Sequence, residues 1–571
     1  MGEPSNGDAD ARLYQLFQEH LDIAFALQPL DATRLGDHRF DAQLEDLSPA
    51  DRRGWDEHTR RTLRALPRRV DYRRLTRDAQ IDYEIFRHDL ESSLWLATHT
   101  RPFEENPRVY NDYLSDSVYL VLAQSTLPRE TNIANALARM AQLPRIVAAA
   151  RQNLRRPPLS VLETASKQNR GAISFYARGL FEFVGDSPQR PTVKAAAEKT
   201  VALLEDYQRF LEHDLKPRAT GDWRLGKARF ARKLEFTLNV GLDAAEVLAS
   251  AHRESVRVQE AMYVVARQLW SRYRPKQPLP ADDPGGRRAT VAAVLEAISR
   301  EHGEGENLVR DARATVERLQ DFIRASEFLR LPDPDQCDVI EMPEFQRGNS
   351  VAYLQSAPPL DPQARSFYAV SPPPADWSSA RVRSLLEEYN RHMLQILTLH
   401  DAYPGHYVQL AYSNRASSPI RKVLQSGAFI EGWAVYTEQA MLDQGYGGGD
   451  LALRLTQLKF YLRAVLNAIL DHEMHAGTMS DAGALKLLME DGYQSEEEAR
   501  LKIIRAKQSS VQLSTYFAGR MGIYQLRQTL ARELGSQFDL GRFHEAVLAN
   551  GSVPIKFLPE LVRARLRREP R

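Results

Sequence analysis

The sequence of 571 residues contains one cysteine, Cys337, and has no excess of charge of either sign. A single thiol excludes an internal disulfide as a source of stability. The 76 basic and 75 acidic residues leave a net charge of +1, so the composition gives no indication of a nucleic-acid or membrane partner. No apolar run approaches the ~18 residues that would be needed to span a bilayer.

The N-terminal residues, Met1 to Asp8, are polar and acidic. They contain neither the basic section nor the apolar section of a signal peptide. We therefore expect a cytoplasmic protein, although an exported form whose leader has been removed would present the same sequence. The apolar content of 43% and the charged content of 26% are those of an ordinary globular protein.

Apolar residues recur every three to four positions along much of the chain, which predicts a mainly α-helical fold. The clearest predicted helices cover 8–27, 132–154, 191–211 and 244–273, and Pro144 is expected to kink or divide the second of them.

Strand-like runs are few. Residues 337–342 and 366–370 are the best candidates, so we also expect a small sheet. The stretch 274–286 is rich in proline and glycine and is expected to be a loop. We predict an N-terminal helical lobe at 1–330 and a C-terminal catalytic lobe at 331–571, which together form one intertwined unit.

Residues 400–406 read His-Asp-Ala-Tyr-Pro-Gly-His, and Glu431 lies in a predicted helix at 429–442. Two histidines, a more distant glutamate and an acid beside the first histidine are the parts of a hydrolytic zinc site. The familiar helical motif of zinc peptidases has histidines four apart with Glu after the first. Here the histidines are six apart and the acid is Asp401.

An apolar stripe along 380–400 predicts one long core helix that directs His400 inward. On an ideal helix His406 would lie roughly 120° away from His400, so the two rings would not meet at one ion. Pro404 clashes with the carbonyl four residues earlier, and Gly405 tolerates unusual dihedral angles. We therefore predict a bend that returns His406 towards His400.

Further polar residues follow at helical spacing. Glu438 lies on the same predicted helix face as Glu431; we choose Glu431 as the ligand and expect Glu438 to be solvated or to lie behind the ligands. Asp471 and His475 end a predicted helix at 456–477. They are candidates for two roles: accepting a hydrogen bond from a metal ligand, and donating one to the substrate or to the oxyanion. Alternatively, they form a polar helix end, with the histidine near the C-terminal dipole.

These residues resemble the bacterial domain-of-unknown-function 885 family, whose hallmark is a His-Glu-Ala-x-Pro-Gly-His segment followed by a Glu-Gly-Trp-Ala helix. The chain carries the two motifs at 400–406, with Asp in place of Glu, and at 431–434. Further segments that look familial extend the resemblance over nearly the whole chain; they are 32–41, 127–129, 137–140 and 223–227.

The resemblance implies a helical metallopeptidase-like fold, similar to the thimet oligopeptidases and thermostable metallocarboxypeptidases, with a channel between two helical lobes. It also implies that His400, His406 and Glu431 are zinc ligands and that position 401 is the general base. Asp is one methylene shorter than Glu, which places its carboxylate roughly 1 Å further back, and such a shift can cost on the order of a hundredfold in rate. Metal binding is thus better supported than turnover.

The chain departs from the family again at 512–522, where the family has a Pro-Gly-Gln-Ala segment before a Tyr-Lys-x-Gly run. Tyr516 and Arg520 lie four apart on one helical face. They could polarise a substrate carbonyl or bind a carboxylate terminus. Alternatively, Tyr516 packs and Arg520 forms a structural ion pair.

Together these patterns predict a zinc-dependent hydrolase, a peptidase for short peptides that holds one zinc ion. Asp401 would move the proton, and His475, Tyr516 or Arg520 would stabilise the oxyanion or anchor the substrate. The alternatives are a catalytically impaired pseudoenzyme that binds peptides, and a metal-dependent amidase with a non-peptide substrate. The expected partner is a peptide or small amide, not nucleic acid or a membrane, and the oligomeric state is left open.

Overall fold

The computed structural model describes residues 6–342, 351–374 and 377–568, so most of the polar N-terminal segment considered above lies outside the described residues. The α-helices, in chain order, are α1 (Asn6–Leu27), α2 (Pro29–Leu35), α3 (Pro49–Arg69), α4 (Arg77–His99), α5 (Pro102–Glu105), α6 (Arg108–Ala123), α7 (Arg129–Met140), α8 (Leu143–Asn153), α9 (Leu159–Ser174), α10 (Leu180–Val184), α11 (Arg190–Arg209), α12 (Lys227–Leu238), α13 (Ala244–Tyr273), α14 (Pro284–Ser299), α15 (Leu308–Ala325), α16 (Ser379–Glu388), α17 (Arg391–Asp401), α18 (His406–Asn414), α19 (Pro419–Val423), α20 (Gly427–Asp443), α21 (Leu451–His475), α22 (Asp481–Lys486), α23 (Glu496–Gln508), α24 (Gln512–Leu534), α25 (Leu540–Leu548) and α26 (Leu558–Arg568). None of the described helices combines the length and apolar character needed to cross a bilayer.

Three short strands form one mixed sheet: β1 (Cys337–Glu341), β2 (Ala352–Gln355) and β3 (Ser366–Val370). The central strand β3 runs parallel to β1 and antiparallel to β2. The mainly α fold with a small sheet is therefore confirmed. Strand β2 was not predicted, because four residues of mixed polarity give too short a pattern to distinguish a strand from a loop.

The predicted helices at 8–27, 191–211 and 244–273 match α1, α11 and α13 closely. The pattern at 132–154 is divided into α7 and α8, and Pro144 occupies the first turn of α8, where its missing N–H costs nothing.

Two boundary predictions were wrong. The last three residues of the predicted loop at 274–286 are helical, because Asp283 accepts a hydrogen bond from the Gly286 amide and Pro284 begins α14. The predicted helix at 380–400 is two helices, α16 and α17, since the Asn390 side chain accepts from the amides of His392 and Met393 and starts a new helix.

A large hydrophobic cluster joins residues of α1, α4, α13, α17, α20, α21 and α24 with the sheet. A second cluster lies among α6 to α11. The helices that carry the histidine motif and Glu431 therefore belong to the large cluster, and their positions depend on packing from distant parts of the sequence. The division into lobes at residue 330 stays a prediction.

Two glycines allow α20 and α24 to approach closely. A Cβ added to Gly519 would lie 1.8 Å from the carbonyl oxygen of Ala428, and one added to Gly432 would lie 2.3 Å from the carbonyl carbon of Gly519. Backbone atoms cannot move away as a flexible side chain can, so only glycine fits at either position. This contact brings Glu431 on α20 beside Tyr516 on α24.

The familial segment at 32–41 attaches the N-terminal region to the loop that precedes β3. His38 lies between two carboxylates, with its Nδ1 2.8 Å from Asp41 Oδ2 and its Nε2 3.1 Å from Asp361 Oδ2. Asp361 also accepts a hydrogen bond from the Thr126 hydroxyl at 2.7 Å. The hydrogen bond to Asp41, and then that to Asp361, raise the pKa of His38 to about 9 against the effect of burial.

We expect these ion pairs to make stability depend on pH. Below the ordinary histidine pKa of 6.5 the imidazole is charged in both states and the pairs contribute fully. As the pH rises from 6.5 to about 9, the unfolded chain releases a proton that the folded protein keeps, so the free energy of unfolding falls. Urea unfolding at several pH values should show this fall, and His38→Gln should flatten it. An equal fall in both proteins would contradict the assignment.

Candidate metal centre

The motif at 400–406 interrupts the helix completely: α17 ends at Asp401 and α18 begins at His406. The turn between them closes with a hydrogen bond from the Gly405 amide to the Leu399 carbonyl at 3.0 Å. A Cβ on Gly405 would lie 1.8 Å from the His400 carbonyl oxygen. The break brings the two imidazoles together, with ring centroids 4.7 Å apart and planes at 83°. The predicted bend is therefore a tight turn that depends on glycine.

Trp433 connects this turn to the helix that carries Glu431. Its indole Nε1 donates a hydrogen bond to the Pro404 carbonyl at 2.8 Å, and the side chain is wholly buried. Trp433 lies two residues after Glu431 in the Glu-Gly-Trp-Ala segment. The two motifs of the sequence are therefore held against each other by a direct contact.

Three side chains converge beside the turn. His406 Nε2 lies 3.4 Å and His400 Nε2 3.9 Å from Glu431 Oε2. One ligand atom from each residue lies within 4.8 Å of the others. Ligands of a tetrahedral zinc ion lie about 2.0–2.2 Å from the metal and so roughly 3.3–3.6 Å from one another. The three donor atoms therefore fit one ion if the side chains move slightly closer together.

The hydrogen-bonding state of these atoms also suits a cation. Glu431 Oε2 and His406 Nδ1 are buried and have no hydrogen-bond partner among the described residues. A buried carboxylate oxygen that faces two imidazole nitrogens needs a positive charge to offset its desolvation. The residues therefore fit a metal ion of the type that accepts nitrogen and oxygen ligands.

Glu438 lies behind His400. Its Oε1 is 2.7 Å from His400 Nδ1, and its side chain is wholly buried. Of the two positions that the sequence left open for Glu438, the solvated one is excluded. When Glu438 accepts a hydrogen bond from Nδ1–H, His400 Nε2 carries a free lone pair that faces Glu431, which is the arrangement in which carboxylates support metal-binding histidines.

Burial dominates the electrostatics of the site. It lowers the pKa of His400 to about 3, which keeps the imidazole neutral as metal binding requires. For His406 burial also favours the neutral form, but the nearby Glu431 carboxylate, whose Oε2 lies 3.4 Å from His406 Nε2, outweighs burial and raises the pKa of His406. Burial raises the pKa of Asp401 to about 7, and its Oδ2 has no hydrogen-bond partner among the described residues.

These groups line a cavity of about 410 Å³. Its apolar lining includes Leu397, Leu410, Ile430, Val435 and Phe460, and strand β2 contributes Ala352, Tyr353 and Leu354. Its polar lining consists of the three converging residues together with Asp401, Arg463, Asn467, Lys502, Arg505 and Tyr516. An enclosed site that combines apolar lining with converging polar side chains is the usual form of a small-molecule site.

Tyr516 and Arg520 have different surroundings in the structure. Tyr516 lines the cavity, and its hydroxyl accepts hydrogen bonds from Arg505 at 3.0 Å and from Gln512 at 3.4 Å. Arg520, one turn further along α24, is buried elsewhere: its guanidinium lies 3.5 Å from Glu254 and 2.5 Å from the Gln439 amide oxygen. It also contacts the rings of Tyr461 and Tyr524. Its surroundings match the structural ion pair considered above.

His475 is not among the residues that line the cavity. Its Nε2 lies 2.8 Å from the Ala506 carbonyl, and its ring packs against Trp223 and Phe230. Trp223 belongs to the familial segment 223–227, and the Gly226 amide donates to the His475 carbonyl at 2.9 Å. These contacts indicate a packing role for His475.

Asp471 positions helix α24. Its carboxylate accepts hydrogen bonds from the Val511 amide at 3.0 Å and from the Ser514 amide at 3.2 Å and hydroxyl at 2.7 Å. It therefore satisfies the free amides at the start of the helix that carries Tyr516.

The sequence analysis missed Arg463, Lys502 and Arg505, which line the cavity, because nothing in their local pattern distinguishes them from a solvated helix face.

Fold and site together define a mainly α-helical protein with a small mixed sheet and a buried His–His–Glu group that could hold a metal ion. The chain belongs to the family described as "Bacterial protein of unknown function (DUF885)", which matches residues 29–562. The resemblance inferred from the motifs is thus confirmed.

The solved structures that are similar to this chain include two bacterial proteins. A candidate lipoprotein of unknown function from Shewanella oneidensis is 30% identical, with a TM-score of 0.80 over 96% of this chain and 99% of that one. A candidate lipoprotein from Colwellia psychrerythraea is 18% identical, with a TM-score of 0.80 over 98% of this chain and 100% of that one, and shares the fold. No curated protein matches the chain.

Proposed function

We propose that this protein is a zinc-dependent hydrolase that cleaves short peptides. The observation that carries the proposal is the convergence of His400, His406 and Glu431 in one cavity that also contains the unpartnered carboxylate of Asp401. The cavity of about 410 Å³ suits a short peptide or a small amide better than a folded protein. The likeness to thimet oligopeptidases, with a channel between two lobes, stays a prediction.

His400 Nε2, His406 Nε2 and Glu431 Oε2 would hold the ion. When bound, zinc supplies Lewis acidity and lowers the pKa of a water towards ~7. Glu438 would keep His400 in the tautomer that presents Nε2, through the 2.7 Å contact to Nδ1. The donor set of two imidazoles and one carboxylate is one that catalytic zinc sites use.

Asp401 would be the proton carrier. It follows directly on the ligand His400, and its Oδ2 lines the cavity without a hydrogen-bond partner among the described residues, so it is free to accept a proton and to return it. We propose that Oδ2 takes a proton from the attacking water and later gives it to the leaving amine. The Tyr516 hydroxyl, held by Arg505 and Gln512, would donate a hydrogen bond to the carbonyl oxygen of the substrate.

Substitution of Asp401 tests this role. Asp401→Asn should lower kcat by about a hundredfold or more while the zinc content stays that of the wild type. Asp401→Glu should raise kcat, by up to about a hundredfold, if the shorter side chain limits the rate. Both variants are measured with a peptide library read by mass spectrometry, and metal is quantified in the same samples.

The second candidate function is a pseudoenzyme that binds peptides, and the observation that favours it is Asp at the position where the family carries Glu. Lack of peptide cleavage by the wild type and by Asp401→Glu, both with zinc bound, would support it over a peptidase. A panel of non-peptide amides and esters tests the metal-dependent amidase, which the small volume of the cavity also permits.

The location of the protein in the cell can be tested as well. We predicted a cytoplasmic protein, whereas both similar structures are described as candidate lipoproteins, which supports export or membrane attachment for this chain too. Fractionation of the native bacterium, with detection by an antibody, would distinguish the two.

A further inference from the structure

One wall of the cavity carries three basic side chains, of which Lys502 and Arg505 have no ion-pair partner among the described residues. Lys502 and Arg505 lie three apart on one face of α23, and Arg463 joins them from α21. Arg463 has its own partner, since its Nη1 lies 2.5 Å from Glu498 Oε1. Lys502 has no carboxylate within 4.0 Å of its Nζ and no hydrogen-bond partner in the part of the chain that the structure describes.

Lys502 is only 5% exposed, which makes the missing partner costly. Lysine is rarely buried unless it is paired, because its ammonium loses its hydration. Burial and the charges of Arg463 and Arg505 lower the pKa of Lys502 well below its usual range, although Glu498 and Glu431 oppose this effect. An anion bound in the cavity would provide the Lys502 ammonium with the negative partner that it lacks among the described residues.

Arg505 offers further donors at the exposed side of the cavity. Its Nη2 donates to the Gln512 amide oxygen at 2.8 Å and to the Tyr516 hydroxyl at 3.0 Å. These two bonds fix the guanidinium, while Nε and Nη1 have no partner among the described residues. A guanidinium held in place with free N–H groups is suited to bind a carboxylate.

We propose that Lys502 and Arg505 form a carboxylate-binding subsite of this cavity, which selects substrates that carry a free carboxylate close to the bond that is cleaved. That the bound carboxylate belongs to a substrate rests on the proposed function. The carboxylate is either the C-terminus of a short peptide or an acidic side chain. Gln512 connects the subsite to the metal centre, because its Nε2 lies 3.4 Å from both the Tyr516 hydroxyl and Glu431 Oε1.

The test compares three fluorescent tetrapeptides of equal length: one with a free C-terminus, its C-terminal amide, and an amide that contains one Glu. Binding to the zinc-loaded full chain is measured by fluorescence anisotropy in an Asp401→Asn background, so that the peptides are not consumed. We expect at least one anionic peptide to bind about tenfold tighter than the neutral amide, the usual size for a charge-assisted hydrogen bond. Preference for the free C-terminus or for the Glu peptide identifies the source of the carboxylate.

Lys502→Met should remove this preference, and Arg505→Gln should reduce it. Arg500→Met is the matched control, because Arg500 lies on the same helix, is exposed and pairs with Glu496. Replacing a buried unpaired charge by an apolar side chain of similar length should not unfold the protein.

Equal affinity for neutral and anionic peptides would overturn the subsite, and so would a preference that survives in Lys502→Met, since the metal would then be its cause. Charge-selective binding without any hydrolysis by the wild type would overturn the proposed activity alone.

Discussion

His406→Ala should abolish stoichiometric zinc binding and lower peptide hydrolysis by at least about a thousandfold. His406 Nε2 lies 3.4 Å from Glu431 Oε2, closer than the 3.9 Å between His400 Nε2 and the same oxygen. Its removal leaves one imidazole and one carboxylate, too few protein ligands for a catalytic zinc site. Metal analysis after zinc reconstitution and dialysis measures the first effect, and the rate with a peptide substrate measures the second.

Stability provides an independent readout of the same loss. A ligand that binds only the folded state raises the melting temperature, so a chelator should lower the Tm of the wild type and leave that of His406→Ala unchanged. His252→Ala is the control, because it removes an exposed imidazole on α13 that is not part of the converging His–His–Glu group. A wild type without bound metal after reconstitution would refute the zinc site, as would a variant that still holds one ion.

Gly405→Ala should cost about 3 kcal/mol or more of stability and also abolish metal binding. The added Cβ would lie 1.8 Å from the His400 carbonyl oxygen and 2.5 Å from the Leu399 carbonyl oxygen. Both contacts are with the backbone of α17, so relief requires the turn to open and the two imidazoles to separate. Chemical unfolding gives the first quantity, and metal analysis of the folded fraction gives the second.

Gly427→Ala is the matched control for this substitution. Gly427 begins α20 beside the same site, and nothing lies within 4 Å of a Cβ added there. Alanine at a helical position with open space should be neutral or slightly stabilising. Equal effects of the two substitutions, or a Gly405→Ala protein that binds zinc normally, would show that the turn does not depend on glycine.

Much of the fold could be predicted from periodicity. Long helices such as α1 and α13 have an uninterrupted apolar stripe, and their bounds were predicted nearly to the residue. Predictions failed where a single side chain starts a helix: Asn390 divides 380–400, and Asp283 begins α14 within a stretch rich in proline and glycine. Such local hydrogen bonds change the backbone without changing the hydrophobic pattern.

The sequence by itself determined the mainly helical fold, the family and the identity of the residues that converge, because these follow from local spacing and motif. Tertiary structure alone decided which polar residues share the cavity. Tyr516 and Arg520 are one helical turn apart, but Glu254 of α13 pairs with Arg520 while Tyr516 faces Glu431. His475, which we predicted to contact the substrate, packs against aromatic rings, whereas Lys502, for which the sequence made no prediction, lines the cavity. The physical reason is that a side chain's partners come from helices distant in sequence, which only packing brings together.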